Sequence, residues 1–124
     1  MVEADATPVQ VLVVGPDESA LLFMEALLTR AGLLPSIAPS ERAAAITSAT
    51  PPGVVVVDRD LQAVRSVRAL ADPKKAAVPI VVLGSVGASS AEAAGALDAG
   101  ATHYFERPIA EPDLIAGLRS ILGD

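Results

Sequence analysis

Hydrophobic positions along the chain fall into two alternating kinds of segment. Mainly aliphatic runs occupy Val9 to Val14 (interrupted once by Gln10), Gly53 to Val57 and Pro79 to Leu83. Short, β-branched runs bounded by Gly, Pro or Asp predict buried strands rather than helices. A run at Leu33 to Ala38, weakened by Pro35, and another at Thr102 to Phe105 bring the predicted strands to five. Between them apolar residues recur at helical spacing. Ser19 to Ala31 carries a stripe of Ala20, Met24, Leu27 and Leu28, with Asp17 as N-cap and Gly32 beyond the last turn. Pro39-Ser40-Glu41 opens an Ala-rich helix that ends before Thr50-Pro51-Pro52. A third helix follows Leu61, Val64, Val67 and Leu70, with Arg65 and Arg68 on its opposite side. Ser89 and Glu92 make a capping box before a fourth, which ends near Gly100. Pro112 suits the first turn of a fifth, whose stripe is Leu114, Ile115, Leu118, Ile121 and Leu122.

Buried strands alternating with amphipathic helices predict an α/β fold, a five-stranded parallel sheet with helices on both faces. Ligand chemistry in such sheets gathers at the carboxyl ends of the strands. Those ends are Gly15-Pro16-Asp17, Asp58-Arg59-Asp60, Gly84-Ser85 and Glu106-Arg107-Pro108. The first helix breaks its own pattern. Leu21, Leu22, Phe23 and Met24 are consecutive, so at 3.6 residues per turn Leu22 and Phe23 point towards solvent. An apolar contact with a second copy and scattered surface hydrophobes both account for that.

The 124 residues suffice for one domain, expected over 9–124 behind a disordered segment at 1–8. Neither an internal repeat, a linker nor an output domain is visible. Without cysteine there is no disulfide framework or thiolate metal site. The N-terminus lacks an apolar signal-peptide core, and no run is long enough to cross a bilayer. A cytoplasmic protein with no membrane association is expected. Fifteen acidic residues against nine basic ones give a formal charge of −6, a field that repels nucleic acid.

Three stretches bring a family into view. VLVVGPDES at 11–19, PPGVVVVDRD at 51–60, and PIVVLG at 79–84 with AGATHYFERPI at 99–109 resemble, in order and spacing, the receiver domains of two-component response regulators. The resemblance covers almost the whole chain. It implies a flavodoxin-like sheet of order 2-1-3-4-5. It also implies an acceptor aspartate at the end of the third strand, and an acidic pair after the first that helps hold magnesium. A hydroxyl after the fourth strand and a lysine after the fifth would contact the phosphoryl oxygens. Asp58 matches the acceptor position, Tyr104 the aromatic switch position and Pro108 the proline after the lysine.

The other positions depart. Gly15 and Pro16 stand where the acidic pair belongs, and Gly84 stands at the hydroxyl position, with Ser85 next to it. Arg107 replaces the lysine, and the turn after Asp58 is shorter than the family's. Asp58 is then the one retained family carboxylate. Asp17 and Asp60 are the remaining candidates for a weak metal set with it, although each also suits a helix N-cap. The reading is a degenerate receiver: a signalling domain working by protein–protein contact, with magnesium-dependent phosphorylation impaired or absent and no cofactor expected. The implied partner is another signalling protein, meeting the fourth helix, fifth strand and fifth helix around Tyr104.

Two alternatives stay open, a working phosphoacceptor at Asp58 with bound magnesium and a nucleotide- or small-ligand-binding module of similar topology. GPDES holds too few glycines for a dinucleotide fingerprint. His103, the single histidine, reads as an exposed loop residue, and Ser85 and Ser89 as turn and cap residues without a base. No enzyme of its own is implied. An Asp58–Arg107 ion pair is expected to hold the strand-end carboxylate. Arg59, Arg65, Arg68, Lys74 and Lys75 read as a solvated face.

Overall fold

The computed structural model describes residues 10–86, 90–107 and 109–122, with backbone only at 85, 86, 90 and 107. The segment 1–8, Val9, the Ser89 cap and Pro108 lie outside the described residues. Five parallel strands form one sheet in the order β2-β1-β3-β4-β5, as expected. They are β1 (Gln10–Gly15), β2 (Leu34–Pro39), β3 (Val54–Asp58), β4 (Ile80–Val86) and β5 (His103–Arg107). The helices are α1 (Glu18–Arg30), α2 (Ala43–Ala49), α3 (Leu61–Arg68), a single turn α4 (Pro73–Ala76), α5 (Ser90–Ala99) and α6 (Glu111–Leu122). The fourth and fifth helices of the sequence reading are α5 and α6. Among the described residues no helix is long and apolar enough to cross a membrane.

The continuous aliphatic runs are explained by burial on both faces, since successive strand residues point to opposite sides. On one side Val11, Val13, Val54, Val56, Val81 and Leu83 meet Leu21, Met24, Leu27 and Leu28 of α1 and Leu114 and Leu118 of α6. On the other, Leu12, Val14, Val55, Val57, Ile80 and Val82 meet Ala43 of α2, Val64 and Val67 of α3 and Ala96 of α5. β3 is central and wholly buried. Its last residue, Asp58, is thereby carried to the carboxyl edge of the sheet between β1 and β4.

Four features depart from the sequence reading. Asp72 caps the helical turn α4, accepting from Lys74 N at 3.0 Å, with Pro73 at its first position. β4 runs past Leu83 to Val86, and its register with β5 slips between those two residues, an irregularity of the bulge kind beside the site. His103 is exposed, but it lies in β5 and stacks on Phe105 rather than sitting in a loop. Arg68 does not belong to a solvated face. It donates from Nε to the Gly100 carbonyl (2.8 Å), from Nη1 to the carbonyls of Ala76 and Val78 (both 2.6 Å), and from Nη2 to Thr102 Oγ1 (3.4 Å). Thr102 Oγ1 in turn accepts from Ile80 N at 3.0 Å. This network ties α3 and α4 to the starts of β4 and β5, and burial lowers the Arg68 pKa.

Candidate functional site

β3 delivers Asp58 to the sheet edge, where its residue exposure is 3%. A carboxylate so far out of water needs compensating charge or hydrogen bonds. One partner is next to it in sequence. Arg59 Nε donates to Asp58 Oδ1 at 3.2 Å. Arg59 reaches back from an unusual backbone: it has φ 66°, and its amide donates to the Leu83 carbonyl at 3.0 Å. A left-handed conformation costs a residue with a Cβ about 1–2 kcal/mol, which glycine avoids. Arg59→Ala and Arg59→Gly both remove the guanidinium. Urea melts are therefore expected to show the glycine variant more stable than the alanine variant by about 1 kcal/mol.

The neighbouring strand ends are shaped by what they touch. A Cβ at Gly15 would stand 2.8 Å from Asp58 Cβ and 3.5 Å from Asp58 Oδ2. β1 therefore approaches β3 too closely here for any side chain without a shift of the backbone. A Cβ at Gly84 would overlap the Tyr104 hydroxyl, and it would lie 2.8 Å from Tyr104 Cε1. The missing side chain at Gly84 of β4 is thus the space that the Tyr104 ring fills.

Asp17 and Asp60 are both helix caps, accepting from Ser19 N at 3.0 Å and Gln62 N at 3.1 Å. Among the described residues no group of three or more His, Cys, Asp or Glu is placed to hold a metal ion, so Asp17, Asp58 and Asp60 are not gathered into one set. Ser85 and Arg107 contribute described backbone at the same carboxyl edge; the expected Asp58–Arg107 pair falls on a side chain outside the described ones. Sequence reasoning missed Arg59 as a partner of Asp58. The adjacency in Asp58-Arg59 was visible, but the left-handed turn that makes it useful was not.

Beside this edge a cleft of about 540 Å³ opens between α1 and α6. Phe23, Met24, Leu27, Leu83, Ile109 and Leu114 wall it, and Asp58, Arg59 and Glu111 are its charged groups. Phe23 is 64% exposed and Leu22 50%, so the outward pair on α1 is where the helical spacing put it. Glu111 accepts from Arg30 Nη2 at 3.3 and 3.4 Å.

No protein-family model matches the chain, and no curated protein matches it in sequence. Solved structures do match in shape. A chain from Chloroflexus aurantiacus J-10-fl assigned as a response regulator has a TM-score of 0.84 at 24% identity, over 95% of this chain and 100% of that one. The receiver domain of a sensor histidine kinase from Pseudomonas aeruginosa PAO1, with magnesium coordinated in its active-site cleft, gives 0.81 at 20% identity, over 95% and 100%. Chemotaxis protein CheY4 of Vibrio cholerae gives 0.80 at 20% identity, over 93% and 99%. The fold is the flavodoxin-like receiver fold.

Proposed function

We propose that the chain is a receiver-type signalling module acting through protein–protein contacts, with magnesium-dependent phosphoryl transfer at Asp58 impaired or absent. The observation that carries this is the buried Asp58 held by its own neighbour, Arg59, at 3.2 Å. Magnesium takes near-octahedral oxygen ligands, usually with one or two carboxylates. Here Gly15 and Pro16 offer none, Gly15 has no room for one, and Asp17 and Asp60 serve as caps. The residues present do not fit the ion, and a guanidinium supplies positive charge in its place.

Phosphoryl transfer is mostly positioning and charge neutralisation, so this loss bears on the chemistry more than on the fold. Tyr104 packs over Gly84 of β4, and in this reading that ring keeps the surface formed by α5, β5 and α6 in one arrangement. Another signalling protein reads that surface constitutively, and a cytoplasmic place of action goes with this reading. The module has no catalytic activity of its own.

Intact-protein mass spectrometry after incubation with acetyl phosphate and magnesium tests the proposal, with Asp58→Asn as control. No phosphoryl adduct is expected on the wild-type chain. An adduct present on wild type and missing from Asp58→Asn would restore Asp58 as an ordinary acceptor and end this reading.

A further inference from the structure

We infer that the cleft between α1 and α6 binds a small amphipathic carboxylate, its acid group on the Arg59 guanidinium and its apolar body among Phe23, Met24, Leu27, Ile109 and Leu114. This rests on the Arg59-held form of Asp58 proposed above, and it adds a ligand to that site.

Size and place come first. About 540 Å³ lies within the range of small-molecule sites, which are mostly apolar with a few placed polar groups. The cleft lies at the carboxyl end of β3, beside Leu83 of β4, and ligands of open parallel sheets bind at strand carboxyl ends. Its mouth includes Phe23, the most exposed large apolar residue among the described residues, and a bound apolar body would cover that ring.

The charged groups select the ligand. Arg59 uses Nε on Asp58, and its two terminal nitrogens have no partner among the described residues. Those nitrogens form a planar fork that matches a carboxylate with two parallel hydrogen bonds. Asp58 holds the fork from behind, since its Oδ1 accepts from Nε. Glu111, the other acid in the cleft, already accepts from Arg30, which offsets its charge. Two nearby carboxylates disfavour a doubly charged phosphate ester, and the guanidinium disfavours a cationic head. A single negative charge on an apolar body is what remains. The left-handed backbone that positions Arg59 fits the tendency of strained residues to cluster at ligand sites.

The test is an amide NMR titration of the chain with 3-phenylpropionate, without magnesium or a phosphoryl donor. 3-Phenylpropylamine serves as the isostere of opposite charge. Saturable shifts are expected at residues lining the cleft, with the amine producing none. Arg59→Gln is expected to bind the acid about tenfold more weakly, the loss implied by removing a charge-assisted pair of hydrogen bonds. Phe23→Ser alters an exposed residue, so its fold is retained, and it also weakens binding. The inference is overturned by any of three results: no saturable shift up to about 10 mM, the weak end of specific binding; equal shifts with the amine; or unchanged affinity in a folded Arg59→Gln. Phosphoryl labelling in the earlier experiment would end the proposed function and leave this titration's result standing.

Discussion

Arg68→Ala is expected to destabilise the domain by about 3 kcal/mol, lowering the melting temperature by about 10 °C. The side chain donates to the carbonyls of Gly100, Ala76 and Val78 and to Thr102 Oγ1, and these acceptors belong to two separate segments, 76–78 and 100–102. Truncation leaves part-buried carbonyls without a donor, and that costs more than the net worth of the bonds. Lysine does not rescue it, because one ammonium cannot reach acceptors on both sides of a planar fork. Arg65→Ala is the control: three residues earlier on the same helix, exposed, and expected to change stability by less than about 0.5 kcal/mol. Thermal melts followed by circular dichroism decide it. A loss at Arg68 as small as that at Arg65 would show that the network is a surface decoration.

Gly84→Ser is expected to expel the Tyr104 ring from its place over β4. The added Cβ would overlap the ring hydroxyl, so one of the two must move, and overpacking of this kind costs about 1–3 kcal/mol. The chain has one tyrosine and no tryptophan, so its intrinsic fluorescence reports Tyr104 alone. Acrylamide quenching should rise in the variant. The cost should disappear when the same change is made in a Tyr104→Ala background, because the interaction is pairwise. An equal cost in both backgrounds would place the strain in the β4 backbone instead. The result also bears on signalling, since the proposed contact face is organised around this ring.

The same division runs through the whole molecule. Four valines ending in Asp58 specify a buried strand and the position of its carboxylate, because strand length and two-sided burial are written in a continuous apolar run. The outward Leu22 and Phe23 follow from 3.6 residues per turn, and the Asp17 and Asp60 caps from hydrogen bonds spanning two residues. These are local relations, and the sequence by itself determined them, together with the order of the strands and of every helix but α4. The tertiary structure decided the rest. Arg68 reaches Gly100 across 32 residues, and Gly84 meets Tyr104 on a neighbouring strand. Gly15 is closed off by Asp58 only because β1 and β3 lie side by side in register. Arg59 turns back on Asp58 from a left-handed backbone whose amide is anchored to Leu83. Periodicity says which face of an element is buried. It does not say which polar side chain another element will bring to that face, and at this sheet edge the second question governs the chemistry.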